Sequence, residues 1–172
     1  MNKLVKIFAV ALLVFTFVNV SAQTKMKFGH IESNKLMMIM PEMKKAQADL
    51  QKDQKELENQ MVSMQKEYQK LIQAFQKSEK TMSDVIKQAK YKEIQEAQKR
   101  IQDFQQYAQK ALTDKRNKLM QPILMKANEA IKAVGKENHF TYIFDFNAGN
   151  ILYKSNQSID VLPLVKKKLG IQ

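Results

Sequence analysis

Two histidines, His30 and His139, and one acid inside an aromatic run, Asp145, are the side chains best suited by type to proton chemistry. Neither histidine has a partner by spacing. The chain has no cysteine and no His-x-x-x-His pair, so no metal site is assigned. Both are read as structural or exposed residues. Asp145 has no second carboxylate within local reach, and its place just before Asn147-Ala148-Gly149-Asn150 suits it to ordering a turn. The glycines at 29, 135, 149 and 170 are too scattered to cradle a phosphate. The chain is therefore expected not to be an enzyme: no catalytic, cofactor-binding or metal residue is assigned, and no cofactor is expected.

What could hold a partner instead is the stretch from Glu42 to Gln121, which contains neither Gly nor Pro. Leu57, Met61, Met64, Tyr68, Leu71 and Phe75 recur at heptad spacing, and Ile94, Ala97, Ile101, Phe104, Ala108 and Ala111 continue the rhythm. An apolar period of about 3.5 residues sustained this long predicts a coiled coil. The beat lapses at Gln76–Thr81, so the stretch is read as an antiparallel hairpin with its tip near 78–83. An uninterrupted rod is the alternative. Folded about Lys80 and Thr81, facing residues have numbers that sum to about 162, which sets Met61 against Ile101 and Leu57 against Phe104. Thr81 with Asp84 reads as the cap of the returning arm. Gln47 and Gln54 fall at seam positions, which predicts a loosely zipped upper arm. Met40, Met43, Met61 and Met64 read as seam residues, and Met37 and Met38 as residues meeting the body.

The two ends of the chain supply the rest. Residues 1–22 read as a secretory signal peptide: Lys3 and Lys6, the apolar run Ile7–Val18, then Val20-Ser21-Ala22 with cleavage after Ala22. Residues 26–31 read as a strand, Ser33 as the cap of a brief helix Asn34–Met40, and Pro41-Glu42 as the first turn of the long arm. Pro122 is expected to interrupt the return arm and serve as a hinge where it bends into the body. Helical spacing resumes at Ile123, Ala127, Ala130 and Val134, with Gly135 as a stop. Phe140, Tyr142, Phe144 and Phe146 alternate as one dry face of a strand. Ile151–Lys154 is expected to return as its hairpin partner, and Ser158 or Asp160 to open a terminal helix carrying Val161, Leu164, Val165 and Leu169. The domains are thus a body from 23–41 and 122–172 and a hairpin from 42–121. A body of about 70 residues without disulfides calls for oligomerisation. Phe28, Phe140, Tyr142, Phe144 and Phe146 are the expected assembly residues.

The full chain has a net charge of +12, and without Lys3 and Lys6 there are 27 basic and 17 acidic residues, or +10. The surplus is spread along the whole chain. With an export signal, this suits acidic protein clients or acidic membrane surfaces and argues against nucleic acid.

Phe28-Gly29-His30-Ile31, Gln121-Pro122-Ile123, Tyr142-Ile143-Phe144-Asp145 with Asn147-Ala148, then Tyr153 and the ending Asp160–Leu169 follow one another as in a known family. In order and spacing the chain resembles the Skp (OmpH) family of periplasmic chaperones along its whole mature length. The resemblance implies an α+β, mostly α fold: a long antiparallel coiled-coil hairpin on a small β-rich body. It also implies a homotrimer whose hairpins enclose unfolded outer-membrane β-barrel proteins and hold them without ATP. An anionic membrane surface or lipopolysaccharide is a further partner the family suggests, with no residue carried over for it. Client-contacting residues are not assigned. A structural coiled-coil spacer or adaptor of the envelope is the alternative reading.

Overall fold

The computed structural model describes residues 26–149 and 151–171. The expected signal peptide, 1–22, lies outside the described residues, as does Asn150 of the expected turn. In chain order the elements are β1 (Phe28–Ile31), α1 (Ser33–Ile39), α2 (Pro41–Ser78), α3 (Asp84–Glu137), β2 (Tyr142–Asp145), β3 (Ile159–Asp160) and α4 (Leu162–Leu169). A 3-10 turn, Glu79–Thr81, joins α2 to α3, and a second, Phe146–Ala148, follows β2. At 1.5 Å per residue, α2 is about 57 Å long and α3 about 80 Å.

The two long helices form the hairpin. Pro41 opens α2 in its first turn, where its missing N–H costs nothing. The inner faces carry the heptad residues on both arms, half-buried, while Gln47 and Gln54 are exposed. Ala46 and Asp53 take the inward positions that sequence spacing gave to those glutamines, because the upper seam is set one residue earlier. The pairing is also offset. Asp53 bonds to Lys115 at 2.8 Å and Glu42 pairs with Lys126, so facing numbers sum to 168 at this end rather than 162. Helical geometry persists through Thr81 and restarts only at Asp84, which displaces the fold point toward the second arm. Thr81 is not a cap: its hydroxyl donates to the Ser78 carbonyl at 2.9 Å, and Ser83 holds the N-cap position of α3.

Pro122 does not interrupt α3, which stays helical to Glu137. The proline forfeits a backbone bond to Lys118 and costs roughly 3 kcal/mol in a helix interior. Beyond it, Ile123, Ala127, Ala130 and Val134 are all buried. Burial of the isoleucine and valine alone contributes about 2 kcal/mol each, enough to offset the proline. The helix likewise passes Gly135 by two residues. It ends at Asn138 and at His139, whose φ of 54° turns the chain so that the Phe140 N–H reaches the Gly135 carbonyl.

The sheet is small and wholly parallel, in the order β2-β1-β3. Phe28 pairs with Tyr142 and Ile31 with Asp145 on one side of β1; Gly29 pairs with Ile159 on the other. The expected hairpin is absent. Ile151–Lys154 forms no strand, and the third strand is the two-residue β3. Asp145 explains the departure, because its carboxylate is used twice. It accepts from the Asn147 N–H at 3.0 Å, starting the 3-10 turn that lifts the chain off the sheet. It also accepts from the Ser33 hydroxyl at 2.5 Å and from the Ser33 N–H. Ser33 is therefore an anchor for β2 and not the cap of α1, whose N-cap position is Glu32. Asp160 accepts from the Leu162 N–H at 2.9 Å and so opens α4.

Ile31, Leu36, Met40, Val161 and Val165 are the fully buried side chains, gathered from both ends of the chain against α3. Gly29 must be glycine here: a Cβ would lie 2.9 Å from Val161 Cγ1 and 3.0 Å from the Phe140 ring. Met37 is buried, but Met38 is 72% exposed, so only the first of the pair is packed into the body.

Candidate functional site: the open sheet face and the arms

Parallel register places in-line partners on the same side of the sheet, so Phe28, Tyr142 and Phe144 share one face. Phe28 stacks on Tyr142 at 6.3 Å and 10°, and Tyr142 on Phe144 at 5.8 Å and 24°. Phe28 and Phe144 are tilted by 31° at 6.3 Å, closing a three-ring plate. The opposite face turns Ile31 and Ile143 toward the core. The plate is not dry within one chain: Phe28 is 39% exposed, Phe144 44% and Tyr142 59%. Contiguous exposed aromatics on a monomer mark an interaction surface.

Of the five aromatics expected at the assembly, the structure brings these three together and leaves two apart. Phe140 precedes β2 and packs on the core, with Lys27 Nζ 4.3 Å from its ring. Phe146 belongs to the 3-10 turn, with Lys154 Nζ 4.9 Å from its ring and His30 edge-on at 6.2 Å. The alternation is real in sequence, but the Asp145 turn rotates Phe146 off the strand.

His30 is buried, and both ring nitrogens are engaged: Nδ1 with Ser158 Oγ at 2.9 Å and Nε2 with Lys154 Nζ at 2.7 Å. The serine–histidine contact invites comparison with a hydrolytic dyad. A catalytic base needs a lone pair facing the serine and an acceptor orienting its other nitrogen. With a lysine ammonium as a donor only, the hydrogen-bond network assigns Nε2 as acceptor and Nδ1–H as donor to Ser158. In that tautomer the ring presents an N–H, and no lone pair, to the serine. The cluster ties the segment after β2 to the sheet, and its members are 124 and 128 residues apart, beyond any spacing motif. Among the described residues no group of three His, Cys, Asp or Glu could hold a metal ion.

Burial pushes the Asp145 carboxyl up, but the hydrogen bonds from Ser33 and Asn147 together outweigh it and hold it below the usual aspartate range. The hydrogen bond from Lys126, chiefly, draws the Glu42 carboxyl below its ordinary value. That pair stands over a shallow depression where Ala46 and Asp49 of α2 face Leu119, Pro122 and Ile123 of α3. No helix of the described residues is long and apolar enough to cross a membrane.

A crystal structure from Caulobacter crescentus CB15, a candidate outer membrane chaperone described as OmpH-like, shares this fold. The TM-score is 0.74 at 14% identity, over 84% of this chain and 83% of the other. No curated protein matches the chain. The profile of the family described as "Outer membrane protein (OmpH-like)" matches residues 27–169, from just before β1 to the last residue of α4. The chain belongs to the OmpH-like outer membrane protein family.

Proposed function

We propose that this protein is an ATP-independent holdase of the periplasm, which keeps unfolded outer-membrane β-barrel proteins from aggregating before they reach the membrane. Membership of the OmpH-like family supports a chaperone role in general. The observation that carries the finer reading is the pairing of an exposed aromatic plate at one end with two long, half-buried arms at the other. Phe28, Tyr142 and Phe144 join three copies at the body. The arms then enclose a cavity and catalyse nothing. Many weak contacts along such arms can oppose aggregation without imposing one bound conformation. Pro122 acts as the hinge that sets cavity width, since the missing Lys118 bond softens α3 where arm meets body. The +10 surface steers acidic clients and acidic membrane surfaces toward the arms.

Light scattering tests the reading. An unfolded β-barrel diluted from urea should aggregate alone and stay in solution with this protein present, without nucleotide. Capture should weaken as salt rises past a Debye length of about 8 Å, and survive it. Absence of suppression, together with one defined binding partner, would mark an envelope spacer instead.

A further inference from the structure

The arms hold 16 glutamines between residues 42 and 121, and their positions are not random. On α3, Gln88, Gln95, Gln98, Gln102, Gln105 and Gln109 are all exposed. With Tyr91 and Leu112 they recur at spacings of 3 and 4, one residue beyond each seam position. This is a second heptad lane beside the apolar one. It runs without a single charge from residue 88 to 112, about 36 Å of helix. The other flank of the same seam carries Glu93, Glu96, Arg100, Asp103, Lys110 and Asp114.

The first arm matches. From Met61 onward, one residue beyond the seam positions lie Val62, Gln65, Gln69, Ile72 and Gln76, again uncharged; Glu58, beyond Leu57, ends the neutral run on the body side. In an antiparallel pair the corresponding flanks of the two seams fall on the same side, so both lanes share one face of the hairpin. The ion pairs of α3, such as Lys90–Glu93 and Lys110–Asp114, use none of the lane residues. Gln54, bonded to Glu58, is the one arm glutamine whose side chain forms a hydrogen bond among the described residues, and it lies on the body side of Glu58, beyond the neutral run.

We propose that this neutral glutamine face is where the main chain of an extended, unfolded polypeptide lies. The inference rests on the holdase reading and names its contact face. A glutamine side chain presents a carbonyl acceptor and an N–H₂ donor, the same pair as a peptide group. A row of them can therefore bond any extended backbone whatever its sequence. A charged lane would select side chains of one sign and would have to desolvate its charges. Lys92 and Lys99 border the lane and are exposed, so acidic side chains of the same polypeptide find a complementary charge at its edge. Tyr91, Val62 and Ile72 give apolar footholds between the amides.

The test compares two fourfold variants of the full chain. Gln95→Ala, Gln98→Ala, Gln102→Ala and Gln105→Ala empty the lane; Gln60→Ala, Gln73→Ala, Gln106→Ala and Gln121→Ala remove as many glutamines elsewhere. Alanine favours helix, so both sets should keep their circular dichroism. The probe is a fluorescently labelled β-barrel protein diluted from urea. The lane variant should bind it at least tenfold more weakly than the parent, with the loss persisting at high salt, while the second variant stays within twofold. A lane variant within twofold of the parent overturns the proposal, and so does equal loss in both sets. A lane variant of lower sedimenting mass also overturns it, because the face would then hold a second copy of this chain. If the parent captures no unfolded chain at all, the holdase reading itself fails, and the two failures are distinguishable.

Discussion

The body and the arms are stabilised in different ways. In the body, five side chains from β1, α1 and the α4 region are sealed against α3, with two polar anchors, Asp145 on Ser33 and His30 on Ser158. Between residues 42 and 121 only Ala46 and Ala97 are buried. The arms persist through helix propensity, a half-exposed seam and scattered ion pairs, each worth a few tenths of a kcal/mol. One region has a single packing solution, and the other leaves most of its surface open. That division suits the proposed holdase, which would fix its own assembly yet accept varied partners.

The largest way to break the comparison is at the plate. Phe144→Asp should abolish association of the bodies, measured as a fall in mass by sedimentation, while the arms keep their helical signal. A variant of unchanged mass would remove the plate from the assembly. Pro122→Ala restores a donor to the Lys118 carbonyl and should raise thermal stability by as much as about 3 kcal/mol, with association kept. If Pro122 is a hinge, the same variant should hold a narrower range of client sizes than the parent; equal capture of small and large barrels would make it a packing feature alone.

Asp145→Asn should cost about 2 kcal/mol at neutral pH, since hydrogen bonds to a charged group are the stronger kind. The sign with pH follows from a carboxyl held below its unfolded value. Its contribution is fully present above the unfolded aspartate range and is lost as pH falls through the lower folded value. Thermal melts of parent and variant should therefore converge in acid. Divergence there would mean that the carboxylate is not the anchor. The smallest perturbation is chemical: zero-length carbodiimide coupling should join Asp53 to Lys115 within one chain, as their 2.8 Å contact requires. Coupling only between chains would mean that the arms are a swapped rod.

Much of this contrast was readable in the sequence, and unevenly so. The arms announced themselves because a heptad is a local, repeating signal, and every residue from Ile123 to Val134 assigned to the buried stripe is buried. Pairing register was less legible: a turn of a few residues shifts every contact along the arms, and no single residue states where folding over occurs. The body was hardest. Its strands are four, four and two residues long and pair across more than a hundred positions, so local alternation pointed Ile151–Lys154 at the wrong partner. Ser33 looked like a cap because capping needs only its neighbours; its actual partner, Asp145, is 112 residues away. The three-ring plate was half visible. The aromatics were plain, but which of them share a face depended on where Asp145 ends the strand.

The sheet order has a consequence for how this molecule comes into being. β1 lies in the middle, yet both strands that flank it come after the hairpin. As the chain emerges from its N-terminus, the long helices can close on each other by local steps while β1 waits with both edges bare. It finds its first neighbour only at residue 142 and its second at 159. A chain cut short between the end of α3 and the start of β2 would thus own complete arms and no three-ring plate. Under the proposed assembly, association would report that synthesis has reached the end, and only finished copies could join.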